Sequence, residues 1–410
     1  MLNQLFAPRW LRCYSESPAA DWLIRFSTWL ILSGYARRPA QRHVHRLRRV
    51  LERSAPRTPA AKFTTVELQA MFDAPAKQQS FYRSTQRAFQ QFLATQDQVI
   101  IDPPTHPHAT LLEAYRLHLL TVRGLAPATI DQHISTIMQF LDEVGHPGVS
   151  LQILRPQDVE QFILSEGCRV KRQTLQHIIA RLRAFLRYCH NNGEIREKLD
   201  IIDTAITYRD ELPPRALSWS QVQRLLRSID RSTKAGWRDF TLLHLMAHYG
   251  LRPSEIVTLT LDSIDWEAKT LCVNQCKSLL FLVLPLSDQT LRMLKRYLHW
   301  GRTGSNTYPE LFLRARSPAG PLKHTAVCDI YSKRARESGL GLQGTSSYCL
   351  RHSFAMRLLN QGVGIKTIGD LLGHRTLEST CVYLRLDIAA LRGVALPVPT
   401  LPKDCGGSAS

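Results

Sequence analysis

Apolar side chains return every three or four residues through most of this chain, the spacing that turns one face of an α-helix toward a core. Clear runs are Leu111, Leu112, Tyr115 and Leu119, then Ile134, Ile137, Phe140 and Leu141, then Ile178, Leu182, Phe185 and Leu186. Pro127 followed by Ala128-Thr129 opens one helix, and Ser218 caps another. A helix over residues 237–248 is apolar through Phe240, Leu243 and Leu245, and Gly250 is placed to end it in left-handed backbone. Later helices are predicted near residues 288–299, 326–337, 348–360, 366–372 and 377–384. Only residues 270–273 and 280–284 read as strands, joined around Lys277-Ser278. The pattern is therefore mainly α with a small β-hairpin.

Breaks in the pattern divide the chain. Asp102-Pro103-Pro104-Thr105-His106-Pro107 reads as an extended linker, and Pro213-Pro214 lies in a second one. The expected divisions are an N-terminal basic helical module (1–105), a helical module (106–195), a linker (196–217), a larger domain (218–386) and a tail (387–410). The tail is expected to be disordered beyond Pro397. The first module reads as a degenerate copy of the second. Leu32-Ser33-Gly34-Tyr35-Ala36 precedes His43, Val44, Leu47 and Leu51, as Val122-Arg123-Gly124-Leu125-Ala126 precedes His133, Ile134, Ile137 and Leu141, at a constant offset of 90.

Composition narrows the class. The chain has 410 residues, 44% hydrophobic and 21% charged, which suits two or three folded domains. Its formal net charge of +19 implies a polyanionic partner. The most apolar early run, residues 22–35, is broken by Arg25, Ser27 and Ser33 and is too short to span a membrane, so nucleic acid is the expected partner and a membrane is not. Arg37, Arg38, Arg42, Arg46, Arg48, Arg49 and Arg53 crowd one helix with only Glu52 among them. Such a run is often a solvated face, but here it suggests contact with a DNA backbone. Nine cysteines, an odd number, suggest reduced thiols and a cytoplasmic protein. Cys272 and Cys276 have metal-like spacing but no second pair, so neither a metal nor another cofactor is expected.

Candidate chemistry lies toward the C-terminus. Arg252, Arg351, His374 and Tyr383 each stand beside core-type residues, and together they could serve a phosphodiester. Two guanidiniums would clamp its non-bridging oxygens, and a tyrosine would attack it. Any one of them alone would more often be a surface or half-buried structural residue. In order and spacing, however, Gly250-Leu251-Arg252-Pro253-Ser254-Glu255, Leu350-Arg351-His352-Ser353-Phe354-Ala355, Leu371-Leu372-Gly373-His374 and Tyr383 resemble the boxes of the tyrosine recombinases, or phage-type integrases. The resemblance covers roughly residues 112–386.

That resemblance implies core-binding (SAM-like) helical modules and an α+β catalytic domain, closing as a C-shaped clamp around duplex DNA. Lys171, Arg172 and Arg181 would touch phosphates beside Arg37, Arg38, Arg42, Arg46 and Arg49. Glu255 and His352 would orient the contacting groups from behind. Lys277, in the hairpin loop, would be the general acid for the leaving 5′ oxygen, although the glycines usual beside it are absent. Strand exchange through a 3′-phosphotyrosyl intermediate and a Holliday junction would need a homotetramer on paired sites, with the tail docking in trans and an accessory protein as a further partner. Integration, transposition and cointegrate resolution for a mobile element all suit it. One position departs from the family: Tyr348 stands where a histidine usually precedes the second arginine by three residues. A phenol donates a hydrogen bond but is a poor base near neutral pH. The alternatives are a non-cleaving DNA-binding regulator and a type IB topoisomerase-like enzyme.

Overall fold

The computed structural model describes residues 2–54, 58, 60–100, 106–144, 151–204, 215–275, 280–302, 308–374 and 376–384. Two compact units divide the chain: Met1–Pro59 with Leu212–Ser410, and Ala60–Glu211. Among the described residues, no helix is long and apolar enough to cross a membrane.

The first unit opens with α1 (Leu2–Leu5), α2 (Pro8–Ser15), α3 (Ala20–Leu32) and α4 (Arg37–Arg53). Periodicity decides how α4 lies. Ala40, His43, Val44, Leu47 and Val50 fall on one face and are buried. Arg38, Arg42, Arg49 and Arg53, spaced by four, seven and four residues, fall on the opposite face and are exposed, with Arg46 partly buried on the same stripe. Gly34 turns the chain between α3 and α4 at φ 75°, where a β-carbon would be strained.

The second unit holds β1 (Phe63–Thr64), α5 (Thr65–Met71), α6 (Ala76–Ala94), β2 (Val99–Ile100), α7 (Ala109–Thr121), α8 (Pro127–Val144), α9 (Pro156–Arg169) and α10 (Arg172–Asn191). β1 and β2 pair in parallel. Tyr115, Ile137, Phe140, Phe162, Leu182 and Phe185 fill the core of α7–α10. The order of α3–α6 recurs in α7–α10. The matched helices have 13 and 13, 17 and 18, 7 and 14, and 19 and 20 residues, so only α5 is markedly shorter than its counterpart. Buried Ala40, Val44, Leu47 and Val50 stand 90 residues before buried Ile130, Ile134, Ile137 and Phe140. The stretch after α10 is not free chain at its start: Ile195 and Leu199 join the core, and Arg187 pairs with Asp200 at 2.9 Å.

The rest of the first unit comprises α11 (Trp219–Arg227), α12 (Lys234–Tyr249), α13 (Pro253–Thr258), β3 (Ile264–Asp265), β4 (Thr270–Gln275), β5 (Leu280–Pro285), α14 (Asp288–Arg296), α15 (His324–Glu337), α16 (Tyr348–Asn360), α17 (Ile365–Leu372) and α18 (Glu378–Cys381). The strands form one antiparallel sheet in the order β3-β4-β5, with Leu271 opposite Leu284 and Val273 opposite Leu282. β3 is too short to show an alternating pattern in sequence. Cys272 is an exposed residue on β4. Leu243, Ile256, Leu271, Phe312, Tyr331 and Leu350 belong to the larger core beneath these elements, and Ala355, Ile368, Leu372 and Tyr383 form a second cluster. Each contributes about 1.5–3 kcal/mol by burial. The final helix is shorter than the expected residues 377–384. α18 ends at Cys381, and Tyr383 follows in a turn, its N–H donating to the Thr380 carbonyl at 3.0 Å.

A buried ion cluster ties α12 to α15. Asp239 accepts from Arg238 Nε and Nη2 at 2.9 and 2.6 Å through one carboxylate oxygen, and from Arg334 Nε and Nη2 at 2.9 and 2.6 Å through the other. Removing the carboxylate would leave the buried Arg238 guanidinium without a countercharge and Arg334 with Glu337, at 2.8 Å, in place of two carboxylates. Asp239→Asn is therefore expected to lower the unfolding free energy by about 3–5 kcal/mol in urea titration. A loss under about 1 kcal/mol would contradict this account. Burial also pushes the imidazoles of His43 and His248 down to about 4, and that of His244 to about 3. The unfolded chain then binds more protons between these values and 6.5, so stability should fall as pH drops from about 6.5 toward 4. A melting temperature constant over that window would contradict it.

Candidate active site

Four elements deliver the candidate residues. α12 ends at Gly250, whose φ of 65° reverses the chain so that Arg252 follows as the N-cap of α13. A β-carbon on Gly250 would stand 2.6 Å from the Phe354 ring and 2.9 Å from a Leu372 methyl, so only glycine lets α16 and α17 approach here. α17 ends in the same way. Gly373 lies at φ 63°, and the His374 N–H reaches back to the Gly369 carbonyl at 2.9 Å.

Arg351, on the first turn of α16, is buried at 5% exposure. Its Nη1 donates to the Gly250 carbonyl at 2.6 Å and its Nη2 to the Leu372 carbonyl at 2.5 Å. These are helix-end carbonyls, without intrahelical partners and at the negative pole of the helix dipole. Glu255 supplies the countercharge. Its Oε1 accepts from Arg252 Nη1 at 2.5 Å, its Oε2 accepts the Arg252 backbone N–H at 2.8 Å, and Oε2 lies 3.9 Å from Arg351 Nη1. Burial, then the neighbouring Arg252 charge, lowers the Arg351 guanidinium to about 10, so it stays cationic at neutral pH.

Tyr383 is 2% exposed and packs with Ala355, Ile368 and Leu372. Its hydroxyl and His352 Nδ1 are 3.0 Å apart, and its ring stacks on His374 at 6.4 Å between centroids and 10° between planes. Burial raises its pKa, while the Arg351 and Arg252 charges act in the opposite direction. His374 Nδ1 lies 2.8 Å from Thr380 Oγ1. Both imidazoles are pushed down to about 4, chiefly by burial and then by Arg351. Both are therefore neutral at pH 7.

Arg252, Glu255, Arg351, His352, His374 and Tyr383 thus share one pocket. Tyr348 opens α16 and is 44% exposed, with its hydroxyl hydrogen-bonded to nothing among the described residues. Lys277 lies outside the described residues, and β4 and β5 flank its position. The remaining basic candidates are scattered. Arg37 Nε donates to the Leu5 carbonyl at 3.1 Å, while Arg38, Arg42 and Arg49 are exposed. Lys171 and Arg172 are exposed at the start of α10. Arg181 is engaged within its own unit, with Nη2 donating to Gln132 at 2.5 Å and Nη1 to Thr136 at 3.2 Å.

Three supporting residues escaped the sequence reading. Gln275 is buried in phase with Leu271 and Val273 on β4, and its carboxamide packs against Gly373, which tolerates it by having no side chain. A polar residue at an inward strand position was the available signal. Thr380 holds His374, and Gly369 admits Thr380, since a β-carbon there would meet Thr380 Oγ1 at 2.9 Å. Nothing local in the sequence marks that pair.

Comparison with known proteins gives matches over both helical and catalytic regions. Residues 215–389 match the phage integrase family, and residues 112–193 match the phage integrase N-terminal SAM-like domain. The chain is 32% identical over 291 residues to y4rA of Sinorhizobium fredii, named as an integrase/recombinase, covering 70% of each chain. It is 28% identical over 305 residues to the tyrosine recombinase XerD of Mycobacterium leprae, covering 70% of this chain and 95% of XerD. A crystal structure of the XerH site-specific recombinase, bound to a palindromic difH substrate, has the same fold at a TM-score of 0.56 and 17% identity, covering 69% of this chain and 83% of that one. The chain belongs to the phage integrase family, the tyrosine recombinases, and is a site-specific recombinase.

Proposed function

We propose that Tyr383 is the nucleophile of a DNA strand-exchange reaction. The observation that carries this is its burial beside two guanidiniums that share one carboxylate, Glu255. Tyr383 Oη attacks the scissile phosphorus, the P–O5′ bond breaks, and a 3′-phosphotyrosyl link remains. A 5′ hydroxyl from a partner strand then reverses the step through a Holliday junction. The ester energy stays in the covalent link, so no ATP or other cofactor is required. Arg252 and Arg351 neutralise charge gathering on the equatorial oxygens. Arg351 is prealigned because its two carbonyl bonds fix the fork before DNA arrives. His374, neutral and held by Thr380, donates through Nε2 to a non-bridging oxygen. Lys277 protonates the leaving 5′ oxygen. Tyr348 faces solvent at the head of α16 and donates to phosphate from there.

Duplex DNA is the substrate in this reading, with four chains acting on two paired sites and the C-terminal tail docking in trans. The charge supports it: +19 overall, with an exposed arginine stripe along α4. The recurrence of helix order supports reading residues 1–105 as a second core-binding-type module that extends the DNA footprint, although α3–α4 and α5–α6 belong to different compact units. Service to a mobile element suits a longer footprint.

Two measurements test this. A pool of nicked duplexes of random sequence would be incubated with the full chain, and covalent species recovered from a denaturing gel. The unaltered protein should yield them and Tyr383→Phe none, with non-covalent DNA binding retained. Capture by Tyr383→Phe would refute the assignment. Replacing Arg38, Arg42 and Arg49 together by alanine should flatten the slope of log K against log salt by about 2–3. An unchanged slope would remove α4 from the interface.

A further inference from the structure

Resting on Tyr383 as the nucleophile, we propose that His352 is the general base that takes the proton from its phenol, filling the role that Tyr348 cannot. The evidence is a contact. His352 Nδ1 is 3.0 Å from Tyr383 Oη, within the reach required of a base toward the proton it removes. His374 meets the same ring by its face, and its Nδ1 is engaged with Thr380 Oγ1. Tyr348 is solvent-exposed at the first position of α16. Among the described residues, His352 is the titratable side chain hydrogen-bonded to the nucleophilic oxygen.

The chemistry balances. His352 begins neutral, with its proton on Nε2 and the Nδ1 lone pair accepting from Oη–H. As the Oη–P bond forms, that proton moves to Nδ1 and the P–O5′ bond breaks. The leaving oxygen is protonated by the separate acid. In religation the imidazolium returns its proton to the departing phenolate. Around the ring, Arg351 precedes it on α16, His374 approaches from the end of α17, and Tyr383 from the turn after α18. Burial and the Arg351 charge keep the imidazole unprotonated at neutral pH, the state a base needs. When a phosphate dianion-like transition state forms nearby, its charge favours the imidazolium and so the transfer.

His352→Asn keeps an acceptor near the Nδ1 position but cannot hold a proton. Using the nicked duplex recovered above, single-turnover cleavage by this variant should fall about 10²–10⁴-fold, with non-covalent affinity for that duplex unchanged. A duplex carrying a 5′-bridging phosphorothiolate, whose thiolate leaves without protonation, should leave that deficit in place while relieving the deficit of Lys277→Ala. In the unaltered protein, cleavage should be halved near pH 4 and fall about tenfold per pH unit below it, and this limb should persist in His374→Asn. Wild-type cleavage by His352→Asn, rescue of its deficit by the phosphorothiolate, or faster cleavage (the mark of a bond that only parks the tyrosine) would each overturn the proposal. If His352→Asn does not fold, the acid limb alone decides, and a rate that does not fall between about pH 5 and pH 3 in the His374→Asn protein would overturn it. Failure of the unaltered protein to capture any DNA would instead refute the nucleophile assignment beneath it.

Discussion

The buried guanidinium of Arg351 is the interaction on which the site depends. A cation there would be prohibitively costly without compensation. The structure compensates it three times over: the Gly250 carbonyl at the end of α12, the Leu372 carbonyl at the end of α17, and the Glu255 carboxylate on α13. Each compensation is also a positional constraint. Arg351 on α16 can satisfy its donors only if two helix ends and a third helix arrive at fixed distances. Those same ends carry Arg252 and His374. The pocket is therefore assembled by the demand of one charge for partners; Gly250 lets α16 and α17 approach the end of α12, and Gly373 leaves room for the Gln275 carboxamide from β4.

A consequence is that the site is electrostatically prepared before substrate binds. Two cations lie together with one carboxylate between them, which leaves an excess of positive charge for phosphate. The two imidazoles in that field are neutral, so they can donate or accept as geometry directs rather than add charge. Tyr383 sits under opposed influences: burial holds its proton on, and the arginines pull the other way. A phosphate entering between the guanidiniums would sit where developing negative charge is best tolerated.

Much of this was legible in the sequence, and the reasons for the gaps are physical. Helices such as α8, α10 and α12 announce themselves because one face is continuously apolar. Arg252 and His374 could be located because each follows a helix-ending glycine, and Arg351 because it stands in the Leu350-Arg351-His352 box that resembles the family's. β3 could not be read, since two residues carry no period. The end of α18 was overrun because Thr380, Cys381 and Val382 sit equally well in a helix or a turn, and packing of Tyr383 against Leu372 decides between them. The partners of polar groups were the least legible. Sequence places His352 beside Arg351 but does not say that its ring reaches Tyr383, 31 residues on. Nor does it say that Thr380 holds His374, or that Arg181 is occupied by Gln132. Such pairings are fixed by tertiary approach and leave no local periodicity.

The central claim is that the Tyr383 oxygen itself becomes bonded to DNA phosphorus. Digestion of a covalent protein–DNA species with nuclease and protease, followed by tandem mass spectrometry, tests it most directly. The account predicts a nucleotide 3′-phosphate carried by the peptide that spans Tyr383, with the mass addition on that side chain. Recovery of the adduct on Tyr348 or any other residue would contradict it.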